Sequence, residues 1–556
     1  MILLNTKIEQ QIFDFFQTNK SEFRSLIHAN TFIESKCGIK QFFNTEEEIG
    51  QLKNKLSSSK IDVTTKDRAE YGDFQTNNDL TEKIVSSLKN RDINPQVIIE
   101  PTCGKGNFII AALNGFNNIE KIFGIEIYEP YIWQSKFSIL LFFIQNPEKK
   151  KPEIQIIQHN IFDFDFSDIK KQVSDKNLLI LGNPPWVTSA KLSIYDSKNT
   201  PLKNNYKHQK GLDAITGKGN FDIAEYITVK LIHTFGDYNG HLAFLVKNSV
   251  IKSILFEQKK AKLPISNIEK QNIDSRKEFN VAVEASLLFF RFNRDYDITC
   301  EEFNFYTAKK KNKFGWKNGK FLSNIVNDKI SSIDGRCPFE WRQGIKHDCS
   351  KVMELEQTDE THFYNKLGES IELEKDLIYS VLKSSDLKQT IAPKARKYTI
   401  ITQKTVGQST DYIKNYPLTY NYLQTHSDYF NSRKSSIYKG KPNFSIFGIG
   451  NYSFKPYKIA ISGLYKTFHF TLIEPQDGKP VMLDDTCYFI GFDTKQDAEI
   501  IWNLLNSDVT KKFLESITFT DEKRMITKDN LMRIDLEKIG EINSLKAKYS
   551  QQLELF

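Results

Sequence analysis

The sequence predicts an α/β protein: a short helical segment, a doubly wound parallel sheet of about seven strands, and a mixed α+β half behind it. Two observations carry this expectation. Short aliphatic runs alternate with stretches of helical periodicity from about residue 81 to residue 298, and VIIE, KIFGIEIY and LLILGN are almost wholly apolar, as buried parallel strands require. Beyond the Lys-rich stretch AKKKNKFGWKNGK (308–320) the alternation stops, and short runs rich in Tyr, Phe, Lys and Ser take over.

Taken in order, residues 1–66 place Ile8, Ile12, Phe15 and Phe16, then Phe23, Leu26 and Ile27, at helical spacing and close in the polar SSSKIDVTTKD. TEKIVSSLKN reads as a helix, VIIE as a strand, GNFIIAALNGF as a helix and KIFGIEIY as the next strand. IQIIQHN and LLILGN continue the series, then FDIAEYITVKLIHTF (helix), GHLAFLVK, ISNIEKQNI and VEASLLFFRF (strands). The expected division is a helical segment at 1–66, a sheet domain at 67–298, a basic linker at 299–324 and a second domain at 325–556. No internal repeat is evident.

A chain of 556 residues has room for two to four domains. Its six cysteines form no CxxC pair, which argues against a zinc ribbon and suits a reducing, cytoplasmic setting. His347, Asp348 and Cys349 are adjacent and cannot easily converge on one ion, so no metal is expected. MILLNTKIEQQIFDFF lacks a signal-peptide pattern, and no apolar stretch approaches the roughly 20 residues of a membrane helix. A net charge of +8 with 13% aromatics is compatible with a nucleic-acid partner.

The chemistry-bearing residues cluster at strand ends. In VIIEPTCGKGNFIIAAL (97–113), Gly104 and Gly106 permit positive φ and a close backbone approach, and the following helix offers its N–H groups to an anion. It is no P-loop, because Gly-Lys-Ser/Thr is absent. About 20 residues on, Glu126 ends a strand where an acid takes both hydroxyls of a ribose, although a solvated strand-end carboxylate reads the same way. Asn160 and Ile161 end the third strand with a polar group for an adenine edge and an apolar contact for its ring. Thr76 stands ahead of a helix, where it also fits an ordinary N-cap region. Together these describe an adenosyl ligand across the carboxyl edge of the sheet.

LLILGNPPW (178–186) stops its strand on two prolines, which can neither continue a ladder nor donate to it. The Asn183 side-chain oxygen and the Pro184 carbonyl are thereby presented as fixed acceptors for one planar amine, with Trp186 available to stack on its ring.

In their order, GDFQT, EPTCGKGNF, GIEIYEP, NIFDF and NPPW resemble the amino-group DNA methyltransferases, specifically the γ-type adenine-N6 enzymes of restriction-modification systems; the likeness covers roughly residues 70–295. The resemblance implies a Rossmann-like class I methyltransferase sheet, S-adenosylmethionine as cofactor, double-stranded DNA as partner, and a C-terminal target recognition domain. It implies that Thr76 and the loop Glu100, Pro101, Thr102, Cys103, Gly104 and Gly106, with Phe108, hold the methionine end. Glu126 with Ile127 takes the ribose, and Asn160 with Ile161 takes the adenine; the family more often has Asp where Asn160 stands. Asn183, Pro184, Pro185 and Trp186 form the catalytic tetrad, with Trp in place of the more frequent Tyr, and Phe279 supports the extruded base.

The implied reaction is direct displacement by adenine N6 at the sulfonium methyl, with the base flipped from the duplex. A monomer protecting host DNA from a separately encoded restriction endonuclease is the implied setting. Three other readings stay open: a single-chain restriction-modification enzyme, for which Glu34-Ser35-Lys36 spells ExK; a methyltransferase of RNA or of protein glutamine; and a silent DNA-binding subunit. Beyond residue 300, basic residues interleave with Tyr, Phe, Ser and Asn, and Arg342, Lys346, Arg433, Lys434 and Lys439 are the expected DNA contacts.

Overall fold

In the first unit, four short runs become adjacent parallel strands: β1 (Val97–Glu100), β2 (Lys121–Glu126), β3 (Glu153–Gln158) and β4 (Leu178–Gly182). β1 pairs with β2 on one side and β4 on the other, so that Ile98 faces both Ile122 and Leu179. Every residue of β1 and β4 is buried, which explains the unbroken apolar runs. The computed structural model describes residues 6–57, 75–188, 222–280, 283–292, 295–325, 332–359, 361–519 and 524–553. It divides into two units, Met1–Lys320 and Phe321–Phe556. Gly72, Asp73 and Phe74 of GDFQT and Gly219, Asn220 and Phe221 of GNFDIAEY lie outside the described residues.

β5 (Gly240–Lys247) lies parallel to β4, and β6 (Ile265–Ile273) and β7 (Ala285–Phe292) complete the seven strands. The order of these seven in the sheet is β6-β7-β5-β4-β1-β2-β3. This is an α/β Rossmann-like fold, but the sheet is mixed rather than wholly parallel, because β7 runs antiparallel to both β5 and β6. The connection from Ile273 to Ala285, which includes the five-residue helix Ser275–Phe279, is too short for a parallel crossover.

Two expected boundaries are corrected. The stretch expected as a basic linker, 299–324, instead forms β8 (Thr299–Asn304), β9 (Lys310–Lys317) and β10 (Lys320–Leu322), which lengthen the sheet to ten strands among the described residues. Nor is the helical lead-in a separate piece. Its helices Thr6–Thr18 and Leu26–Cys37 bury Ile12, Phe16 and Ile33, and the stretch after them buries Phe42 and Phe43, in one core with Trp133, Phe137 and Leu140. Gly38, at φ +75°, turns the chain so that Lys40 N–H donates to Ile154 O and Ile154 N–H donates to Gly38 O, both at 2.8 Å. This covers the outer edge of β3, which would otherwise present an open ladder. Glu34-Ser35-Lys36 falls on the helix Leu26–Cys37.

The second unit is mixed α+β. β11 (Arg342–Gln343), β12 (Tyr457–Ser462), β13 (Thr471–Ile473) and β14 (Cys487–Phe492) form a four-stranded sheet in the order β11-β14-β12-β13. A separate six-stranded sheet includes the pair Ile378–Leu382 and Lys397–Ile400. Helices Lys495–Leu505 and Asp508–Ile517 pack Ala498, Leu505, Phe513 and Leu514 onto a core around Trp341 and Phe470. Among the described residues no helix is long and apolar enough to cross a membrane.

Phe42 is fully buried, 5.0 Å from the Phe43 ring and 6.0 Å from Trp133. Phe42→Ala is expected to cost the first unit about 3–5 kcal/mol, read as an earlier thermal unfolding transition of the whole chain.

Candidate active site

Strand order reverses at β1: β2 and β3 lie to one side, β4 and β5 to the other, which opens a crevice at the carboxyl ends of β1 and β4. β1 ends there on Glu100, and the turn to the helix Asn107–Gly115 is made by Gly104 at φ +52° and Gly106 at φ +81°. A Cβ on Gly106 would sit 2.6 Å from Ser135 Oγ. Positive φ and a close neighbour both demand glycine here.

β2 ends on Glu126. Its Oε2 accepts from Gly104 N–H, and its Oε1 accepts from the N–H groups of Ile127 and Tyr128, each at 2.9 Å. The carboxylate therefore ties the glycine turn to the β2 end. Glu100 is buried, and its Oε2 and the Thr102 hydroxyl have no hydrogen-bond partner among the described residues. Burial, and after it the negative charge of Glu126, hold the Glu100 carboxyl well above the usual carboxylate range. Burial also pushes the Cys103 thiol well up, so it is no ready nucleophile.

At the β3 end, Asn160 Oδ1 accepts from Phe162 N–H at 3.1 Å. The loop is held from beneath by Lys230, which sequence reasoning missed. Its Nζ donates to the carbonyls of Ile161 (2.9 Å), Phe162 (2.8 Å) and Phe164 (3.0 Å). The signal was present as the single lysine in the otherwise uncharged run YITVKLIHTF.

At the β4 end, Asn183 Nδ2 donates to Thr76 Oγ1 at 3.2 Å, while the Thr76 carbonyl accepts from Asn107 Nδ2 at 2.7 Å. Thr76, nearly fully buried, thus links the NPPW tip to the start of the glycine-turn helix. The N-cap of the helix Asn78–Lys89 is Asn77, whose side chain accepts from Leu80 N–H, so Thr76 is left for this other role. Beyond the prolines, Thr188 bridges to Asp222, which caps the helix Ile223–Phe235 and pairs with Lys247.

Trp186 departs from expectation. It is only 7% exposed, its Nε1 donates to Leu245 O at 3.1 Å, and its ring packs edge-on against half-buried Phe279, 4.9 Å between centroids. The tryptophan is a core anchor rather than an exposed plate, because a β5 carbonyl holds its indole N–H.

One cavity gathers the strand ends. Of the predicted residues it is lined by Thr76, Glu100, Pro101, Thr102, Cys103, Gly104, Phe108, Glu126, Ile127, Asn160, Ile161, Asn183 and Pro185. Gly106, Pro184, Trp186 and Phe279 stand outside that lining. Gln75, Asn107, Tyr128, Tyr131 and Ile223 line it without having been anticipated.

No family model matches this sequence. It is 40% identical over 481 residues to the type II methyltransferase M.NspV of Nostoc sp., an alignment covering 86% of this chain and 98% of that protein. The chain belongs to the type II DNA methyltransferases of restriction-modification systems. The fold of this methyltransferase is also that of the type IIL restriction-modification enzyme MmeI, solved in complex with DNA, with a TM-score of 0.55 at 14% identity over 96% of this chain and 82% of that one.

The methyltransferase's second unit alters the set of candidate DNA contacts. Arg433 is not a free surface cation: it donates to the carbonyls of Phe430 (3.0 Å), Ser445 (2.7 Å) and His347 (3.3 Å) and lies 3.7 Å over the Tyr438 ring. Three carbonyls and a ring make it a structural tie. Arg342 pairs with Glu340 and lies over Tyr452, and Lys346 pairs with Asp348 at 3.6 Å. Lys434 and Lys439 are exposed.

The raised Glu100 carboxyl sets a pH dependence. Because its folded value lies above the unfolded one, its stabilisation is full in acid and is lost as pH rises through the folded value. In ligand-free protein, Glu100→Gln lacks that loss, so thermal unfolding across pH should show the variant gaining on the wild type as pH rises.

Proposed function

We propose that this methyltransferase transfers a methyl group from S-adenosylmethionine to N6 of an adenine flipped out of duplex DNA. The observation that carries the reading is the meeting of the Glu100–Gly104 turn, Glu126, Asn160 and Asn183 in one cavity at the β1/β4 reversal. The donor set suits the cofactor. Glu100 Oε2 and Thr102 Oγ1, buried without partners among the described residues, fit its ammonium end, and Glu126 fits its ribose hydroxyls. Asn160 and Ile161, held by Lys230, take the adenine ring of the cofactor.

When bound, S-adenosylmethionine supplies an electrophilic sulfonium methyl and a leaving thioether. The protein's part is to present the amine. Thr76 engages the Asn183 amide nitrogen, which orients the amide oxygen, with the Pro184 carbonyl, as acceptors for the N6 hydrogens. Those bonds draw the nitrogen lone pair out of conjugation with the ring and toward the methyl. Phe279, braced by Trp186, is the face that receives the flipped base and offsets part of an unpairing cost of about a few kcal/mol.

The second unit reads the target, with Lys434 and Lys439 on phosphates. In the cell this activity, carried by a cytoplasmic monomer, protects DNA from a separately encoded nuclease. Long-read sequencing of DNA from cells expressing the chain tests the reading: N6-methyladenine in one recurring motif is expected, and methylation confined to RNA or to glutamine peptides overturns it.

Two variants separate the roles. Asn183→Ala should lower methyl transfer by about 10²-fold or more while calorimetric binding of S-adenosylmethionine is largely kept. Lys230→Met should do the reverse, weakening cofactor binding by about tenfold, as for loss of roughly 1.4 kcal/mol, with a smaller effect on the rate at saturating cofactor.

A further inference from the structure

The turn between β8 and β9 lies beside the helix that ends on Phe279. Asn304 Oδ1 accepts from the N–H groups of Tyr306 and Thr307, both at 3.0 Å, and Asn304 N–H donates to Lys309 O at 2.9 Å, which fixes the turn. Tyr306 docks this turn onto the neighbouring helix. Its hydroxyl donates to Glu278 Oε1 at 2.9 Å and accepts from Asp274 N–H at 3.3 Å, and Lys277 Nζ lies 5.5 Å over its ring. One residue after Glu278 comes Phe279, against Trp186. The other Glu278 oxygen accepts from Asn77 Nδ2 at 3.4 Å, one residue from Thr76.

The charge here is unbalanced. Glu278 is engaged by Tyr306 and Asn77, Asp274 caps the Lys277 N–H, and Glu301 pairs with Lys310 and Lys313. Arg276, Lys309 and Lys311 are exposed and have no ion-pair partner among the described residues. Lysines on an outer strand also deter edge-to-edge pairing, but that purpose needs no docked turn and no arginine on a separate helix.

We propose that Arg276, Lys309 and Lys311 form a phosphate-binding surface of the first unit itself, gripping the DNA backbone next to the flipped base. The inference rests on the methyltransferase reading above and adds to it a contact outside the recognition half. Through Tyr306 and Glu278, the hairpin that holds the backbone is joined to the helix that carries the base-facing Phe279.

The test uses the full chain and a fluorescently labelled duplex of random sequence, with affinity measured by anisotropy over a range of salt. Replacing all three residues (Arg276→Ala, Lys309→Ala, Lys311→Ala) should reduce the slope of log affinity against log salt by about three and weaken binding most at low salt. Lys309→Arg with Lys311→Arg should restore most of the slope. The residues are exposed, so thermal unfolding should match the wild type. A wild-type slope in the triple variant overturns the surface while leaving the methyltransferase reading intact. A wild-type chain that neither binds duplex nor methylates it overturns both.

Discussion

Every element of the site depends on the reversal of strand order between β1 and β4. Where successive connections leave a parallel sheet in opposite directions, nothing crosses the gap between the two strands, and their carboxyl ends face an open crevice. A buried strand cannot extend into that crevice without losing its ladder partners, so β1 breaks at a glycine turn and β4 at two prolines. The breaks are the places where backbone and side-chain polar groups become available to a ligand. Glu126 and Thr76 then hold the broken ends to each other, through three backbone N–H groups in one case and through Asn107 and Asn183 in the other.

Such a crevice works only if the sheet beneath it does not slip. The helical lead-in contributes by sealing the β3 edge and filling an aromatic core around Phe42 and Trp133. On the opposite flank the lysine-rich strands lengthen the sheet, which moves its free edge away from the seven strands that carry the site. Each addition gives a marginal surface a paired or charged boundary.

Much of this was legible in the residues, and the failures have physical reasons. Strand ends were readable because apolar runs must stop where Gly, Pro or Asn permits a turn. Orientation was not. The sequence around Trp186 suggests an exposed ring after a stiff tip, yet the ring is buried and its indole N–H finds Leu245 O. Arg433 lies in a basic, Tyr-rich stretch that looks like a nucleic-acid contact, yet three carbonyls and the Tyr438 ring claim it. Lys230 looks like an interruption of a helix and holds the loop of Asn160. In all three, the deciding partner lies far along the chain.

The sequence by itself determined the seven-strand α/β plan, the order of the motifs and the residues at each strand end, because periodicity, glycine and proline act over a few neighbours. Only the tertiary structure decided that β7 runs antiparallel, that residues 299–324 are sheet rather than linker, and which polar groups are already paired. Those outcomes turn on which surfaces meet across the fold, and a local pattern carries no record of its distant partner.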